Sequence, residues 1–198
     1  MMNTRPGPAR LKRQHGALLI EVLVSILICA FALLGFVGMQ ARASSSEFES
    51  YQRSQALALL EDMTHRINAN RANAADYVSV GLVGAGALAD CAGLAGAALD
   101  LCEWGNLIRG SAETRGGSSV GSMVSARGCI SRAAGSTDRY LVSIVWKGMV
   151  PTGAPTSGCG QGDAMFGSES LRRVVSSTVC VARLTDPATP PATPRCLG

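Results

Sequence analysis

The chain has very little histidine: only His15 and His65 occur among its 198 residues. A serine nucleophile needs a histidine base, and in α/β-hydrolases that base follows the serine along the chain. The G-x-S-x-G match at residues 117–121 comes after both histidines. The cysteines include no C-x2-C pair, and no histidine follows His65, so a zinc site is disfavoured. These absences predict no catalytic residue, no metal site and no cofactor.

An excess of positive charge is also missing once the first 16 residues are set aside. The chain carries 18 Lys and Arg against 14 Asp and Glu. Arg5, Arg10, Lys12 and Arg13 supply four of the basic residues, which leaves 14 of each sign in residues 17–198. Because nucleic-acid binding needs clustered Lys and Arg, nucleic acid is disfavoured as a partner.

Charge is nearly absent from residues 17–39, where Glu21 is the one exception. The 18 residues after it, Val22 to Met39, form about 27 Å of helix at 1.5 Å per residue, which is enough to cross a bilayer. A carboxylate in this setting costs about 2.5 to 3.5 kcal/mol and is expected to face a partner rather than lipid. The basic start predicts a cytoplasmic N-terminus and a single pass through the inner membrane, with the rest of the chain in the periplasm.

Three interpretations of this beginning compete. A secretory signal would use the small-x-small site Ala41-Arg42-Ala43, but the 23-residue apolar stretch exceeds the usual 7 to 15 residues. A plain membrane anchor is the second interpretation. The third is a prepilin-type signal, because Gly16-Ala-Leu-Leu-Ile-Glu-Val-Leu-Val resembles the start of type IV pilins and of type II secretion pseudopilins.

The resemblance implies a processed N-terminus. A prepilin peptidase would cut between Gly16 and Ala17 and methylate Ala17, which makes Glu21 the fifth mature residue. Its carboxylate would neutralise the N-terminal ammonium of a neighbouring subunit inside an apolar bundle and so fix the register between subunits. Major pilins typically begin the mature chain with phenylalanine, so Ala17 favours a minor subunit.

A helical pattern continues beyond the apolar stretch. No proline occurs from residue 9 to 150, and Ala56, Leu60, Met63 and Ile67 recur at i, i+4, i+7 and i+11. We predict one helix from about residue 17 to about residue 70, with an amphipathic second half. The Asp-Met and Ala-Asn-Arg runs between Tyr51 and Tyr77 resemble type IV pilus modification proteins of the PilV type, which are minor pilins.

The remaining chain predicts a small sheet braced by disulfides. A short helix is expected near Ala85–Ala98. Strands are expected near Val120–Ala126, Tyr140–Trp146 and Val174–Val181. Six cysteines follow the membrane segment, and an even number in an exported domain predicts disulfides, although the sequence does not show which cysteines pair. They are Cys91, Cys102, Cys129, Cys159, Cys180 and Cys196. Cys29, inside the apolar stretch, is expected to be a small apolar helix residue.

The predicted fold class is therefore α+β and type IV pilin-like, with a long N-terminal helix packed on a small antiparallel sheet. The predicted segments are a basic leader (1–16), a transmembrane or filament-core helix (17–39), its amphipathic continuation (40–77) and a disulfide-braced head (78–198).

The predicted function is that of a structural minor pilin in type IV pilus assembly. The expected partners are other minor and major pilins, prepilin peptidase and the inner-membrane assembly platform, and assembly would carry the protein into the extracellular pilus. One alternative is a minor pseudopilin of a type II secretion system. A second is a pilus-tip adhesin or DNA-uptake module, for which Arg127, Arg132 and Arg139 would need to cluster.

Overall fold

The computed structural model describes residues 15–79, 81–112, 114–116, 118–119 and 123–181. Two α-helices and five strands follow in chain order: α1 (His15–Ala69), α2 (Gly96–Ile108), β1 (Thr114–Arg115), β2 (Ser118–Ser119), β3 (Arg127–Arg132), β4 (Arg139–Lys147) and β5 (Arg172–Cys180). Short 3-10 helices cover Arg71–Tyr77, Ala164–Phe166 and Glu169–Leu171. A long N-terminal helix with a small antiparallel sheet confirms the predicted α+β class.

Helix α1 confirms the prediction of one uninterrupted helix. It has 55 residues, and its bounds lie within two residues of those expected from the proline-free apolar pattern. Contacts divide the chain into two compact units, Met1–Ser44 and Ser45–Gly198, and the boundary lies within α1. The predicted segment boundaries after residues 16, 39 and 77 stay predictions.

The main sheet has three antiparallel strands in the order β3-β4-β5. Its inner face presents Tyr140, Val142, Ile144 and Trp146 to a core that includes the stripe of α1 and the buried face of α2. That stripe is the predicted one, and its four residues, Ala56, Leu60, Met63 and Ile67, are at most 6% exposed. The outer face carries a second cluster around Val145, Cys159 and Phe166.

Trp104 of α2 joins three elements of the larger unit. Its side chain is fully buried, and its indole Nε1 donates to the Leu59 carbonyl of α1 over 2.8 Å. The ring lies against Gly128 of β3, where an added Cβ would collide with the indole and approach Ile108 Cδ1 to 2.9 Å. The missing side chain at Gly128 therefore makes the space that the indole occupies.

Two polar anchors hold the β4–β5 connection. The fully buried Arg172 donates from Nη1 to the Ser157 and Cys159 carbonyls over 2.8 and 2.9 Å, and from Nε to Glu169 Oε2 over 2.7 Å. At the start of the connection, Glu49 Oε1 accepts bonds from the backbone nitrogens of Met149 and Val150 over 3.0 and 3.1 Å. These bonds fix the connection to both the sheet and α1.

Two strand predictions are confirmed and two local predictions are wrong. Strands β4 and β5 cover the segments expected near residues 140–146 and 174–181. The helix expected near Ala85–Ala98 lies instead at Gly96–Ile108, because Gly86 and Gly93 have positive φ values of 78° and 81° that a helix does not allow.

The third strand is also displaced from its predicted position. It was expected near Val120–Ala126, but β3 begins at Arg127. The preceding Ser125 has a φ of 55°, in the left-handed region, so the chain turns immediately before β3. The described residues before it, Met123–Ala126, form no strand.

Candidate assembly segment and its support

The first part of α1 presents apolar side chains on every side. From Leu18 to Met39 the large apolar side chains are between 51% (Val24) and 70% (Leu34) exposed. The helix is long and apolar enough to cross a membrane, and none of its most apolar 18-residue window is buried. So large a continuous apolar surface is not stable in water and needs lipid or other helices around it.

Glu21 is exposed on this apolar segment. Its backbone carbonyl accepts the Ser25 hydroxyl over 2.8 Å. Its carboxylate has no hydrogen-bond or ion-pair partner among residues 15–79 or elsewhere in the described chain. Gly16 and Ala17 lie in the first turn of α1, one turn before Glu21, and their cleavage and methylation stay predictions. The apolar segment of α1 thus carries one carboxylate, Glu21, that needs a partner, and an apolar surface that needs lipid or other helices around it.

Arg66 ties the second part of α1 to α2. Its Nε bonds Asp62 Oδ2 over 3.0 Å, and its Nη1 bonds Asp100 Oδ1 over 3.0 Å and Glu103 Oε2 over 2.7 Å. Burial lowers the pKa of Arg66, but the three carboxylates outweigh burial and leave this pKa raised. The cation holds three acids from two helices at one point, so it positions α2 on α1.

Tyr77 extends this network at the end of the 3-10 helix Arg71–Tyr77. Its side chain is fully buried, its hydroxyl donates to Asp100 Oδ2, and it accepts from Asn70 Nδ2 over 3.2 Å. Burial first, and the bond to the Asp100 carboxylate second, raise the pKa of Tyr77 to about 12. The network therefore favours the neutral phenol.

The raised pKa of Tyr77 predicts a loss of stability between pH 10 and 12. An unfolded tyrosine has a pKa of about 10, so below pH 10 both states are protonated and the contribution is fully present. As pH rises toward 12 the unfolded state ionises first, and the free energy of unfolding falls by about 2 to 3 kcal/mol.

Urea unfolding of the full chain in detergent from pH 9 to 12 measures this fall. Tyr77→Phe should flatten it, whereas Tyr51→Phe, at an exposed position, should not; equal slopes in all three proteins would contradict the assignment.

The structure pairs four of the six cysteines expected to form disulfides. Cys91 is bonded to Cys102, and Cys129 to Cys159. Cys180 is also disulfide-bonded, and Cys196 lies outside the described residues. Cys29 is a free and exposed thiol in the apolar segment. Sequence spacing alone leaves fifteen pairings open, because the fold brings Cys129 of β3 and Cys159 of the β4–β5 connection together from 30 positions apart.

The three arginines considered for a basic DNA-binding surface do not form one cluster. Arg132 lies at one end of β3 with its guanidinium 5.9 Å from the Tyr140 ring centroid, and Arg139 lies beside Tyr140 on β4. Arg127 lies at the opposite end of β3, five residues or about 16 Å away at the usual rise of a strand. The basic surface that the DNA-uptake alternative involves is therefore not formed by these residues.

Comparison with known proteins gives one family match. Residues 38–93, a little over a quarter of the chain, match the family model Tt1218-like, described as type IV pilin Tt1218. No curated protein and no solved structure shows significant similarity to the chain. The matched residues include the end of the apolar segment, Arg66 and Tyr77, and Cys91, but not the network's acids on α2. The match supports a type IV pilin, and the long apolar helix with a small three-stranded antiparallel sheet is consistent with the type IV pilin fold.

Proposed function

We propose that this chain is a minor pilin, a structural subunit that enters or primes a type IV pilus. The observation that carries the proposal is the Glu21 carboxylate, which has no partner among the described residues and lies on the exposed apolar segment of α1. In a bilayer, that charge is tolerated when an opposite charge reaches it. The N-terminal ammonium of a neighbouring, processed subunit supplies such a charge at the same depth.

The processing step belongs to the proposal. Prepilin peptidase removes residues 1–16 after Gly16 and methylates Ala17, and the helix from Ala17 stays in the inner membrane until assembly. Glu21 then pairs with the N-terminus of another pilin, and the apolar side chains pack in the filament core. The Arg66 network and the disulfides keep the larger unit folded during transfer through the assembly platform. The protein then acts as a structural subunit and catalyses no reaction.

Replacing Glu21 with alanine tests the proposal directly. Incorporation into sheared pili is expected to fall at least about tenfold, because an unpaired ammonium is left in the apolar core. Membrane insertion and protein level are expected to stay normal. Glu47→Ala is the matched control, since Glu47 is an exposed acid of α1 outside the apolar segment. Normal incorporation of the Glu21 variant at normal protein level would refute the assembly role.

Mass spectrometry of the N-terminal peptide tests processing independently. A peptide that begins with N-methylated Ala17 supports the prepilin interpretation. One that begins at Ser44 indicates an ordinary secreted protein, and an intact Met1 indicates a plain anchor. Loss of secretion with normal piliation, in a strain that lacks this protein, would instead assign it to a type II secretion system.

A further inference from the structure

Two arginines flank one backbone bridge at the edge of the sheet. Val83 and Gly128 exchange hydrogen bonds of 2.8 and 2.9 Å. Arg127 directly precedes Gly128, and Arg109, the residue after α2, donates from Nη1 to the carbonyl of Gly84 over 3.3 Å. The Arg109 guanidinium therefore contacts the residue that follows Val83, and Arg127 is the residue that precedes Gly128 on the other side of the bridge.

Neither arginine forms an ion pair with another residue that the structure describes. Arg109 bonds the Gly84 carbonyl, and Arg127 bonds the Ala126 carbonyl over 2.7 Å, but neutral carbonyls leave both charges in place. The Nε atom of each is buried and has no hydrogen-bond partner. Buried donors without partners are uncommon in folded proteins.

Among the described residues, the charges around Arg109 and Arg127 do not balance. Burial lowers the pKa of Arg127, and the neighbouring positive charge of Arg109 lowers it further. Asp163 acts in the opposite direction on this pKa, forms no ion pair with another described residue, and accepts the backbone nitrogen of Met165 at Oδ1 over 3.0 Å. Within the described part of the chain, these two cations and one anion leave a net charge of one positive unit, which matches a singly charged anion better than a doubly charged one.

Both arginines are only partly buried, so their guanidinium groups keep access to solvent. Arg127 is two residues from Cys129, so these two side chains lie on the outer face of the sheet. An open groove of about 640 Å³ on that face is lined by Cys129 and Asp163 but by neither arginine. The Nη2 atoms of Arg109 and Arg127 are neither bonded nor among the buried donors, so they remain available. Two planar guanidinium groups match the geometry of a carboxylate.

We propose that Arg109 and Arg127 form a binding site for a carboxylate group, presented by a small molecule or by an acidic side chain of a partner protein. The carboxylate would bridge the two guanidinium groups through their free Nη atoms. Asp163 would keep the site selective for one negative charge by opposing a second. This site is independent of Glu21 and of the membrane segment.

Isothermal titration of the full chain in non-ionic detergent, at constant ionic strength, tests the proposal. The probes are acetate, a capped Gly-Glu-Gly peptide that carries one carboxylate, and inorganic phosphate. Acetate and the peptide are expected to bind, and Arg109→Gln with Arg127→Gln should weaken both at least about tenfold, since two charge-assisted bonds are lost. Arg71→Gln removes the same charge at an exposed position and should bind like the wild type.

The peptide and phosphate results separate the outcomes. Tighter binding of the peptide than of acetate supports a partner protein, and equal binding supports a small molecule. Phosphate binding without carboxylate binding would overturn the proposal, as would binding that the double variant leaves unchanged. If the double variant does not fold, absence of acetate and peptide binding to the wild type would still overturn it.

Discussion

Replacing Trp104 with alanine is expected to lower the free energy of unfolding of the larger unit by about 3 to 5 kcal/mol. The side chain is fully buried between α1, α2 and β3, and its Nε1 donates to Leu59 of α1. Because Gly128 has no side chain, nothing from β3 can fill the cavity that the indole would leave. The surrounding helices would have to move to close the cavity. The loss of stability therefore includes both the lost contacts of the indole and the cost of the cavity that remains.

Trp104→Phe separates packing from hydrogen bonding. Phenylalanine keeps an aromatic ring on Gly128 but loses the Nε1 donor and leaves the Leu59 carbonyl without that partner, at a cost of about 1 to 3 kcal/mol. Pulse proteolysis of the full chain in urea and detergent measures the unfolded fraction without depending on indole fluorescence. A loss below about 1 kcal/mol for Trp104→Ala would show that this contact does not hold α1, α2 and β3 together.

The parts of the fold predicted from sequence are those with a local and periodic signal. Helix α1 was predicted because no proline interrupts it and because its stripe recurs at helical spacing, and that stripe is the buried one. Strand β4 was predicted from its β-branched and aromatic run, and residues 142–146 are all buried because apolar clusters cover both faces of the strand. In both cases the signal lies in residues that are close together in the chain.

The wrong predictions concern segments whose structure depends on distant residues. The Gly- and Ala-rich stretch before α2 has good helix formers, but Gly84, Gly86 and Gly93 all have positive φ. The position of β3 depends on Gly128, which is a poor strand residue by itself and fits only because Trp104 packs on it. The network around Arg66 likewise joins residues more than 30 positions apart, which spacing does not reveal.

The role of Glu21 in assembly is indicated more by the sequence than by the structure of a single chain. Glu21 stands out as the one charge of an apolar stretch, and the structure adds that its carboxylate has no partner in the described chain. A partner from another subunit is absent from a single chain by definition. The arginine pair at residues 109 and 127 had no sequence signal, since α2 and β3 bring the two together from 18 positions apart.

Removing the Cys129–Cys159 disulfide is expected to destabilise the larger unit more than removing Cys91–Cys102. The first closes a loop of 30 residues and the second a loop of 11. Chain entropy of the unfolded state then predicts losses of about 3.6 and about 2.8 kcal/mol for the paired serine variants. The entropy difference alone is therefore about 0.8 kcal/mol.

Native contacts should widen that difference. Cys159 is 8% exposed and packs with Val145 and Phe166, and its carbonyl accepts the buried Arg172. Loss of the disulfide would loosen the β4–β5 connection and expose this guanidinium, whereas Cys91 and Cys102 are only partly buried and lie outside both apolar clusters. Urea unfolding of the two paired variants, followed by tryptophan fluorescence, measures the order. Equal losses, or a larger loss for Cys91→Ser with Cys102→Ser, would mean that the connection is held by its Arg172 and Glu49 bonds without the disulfide.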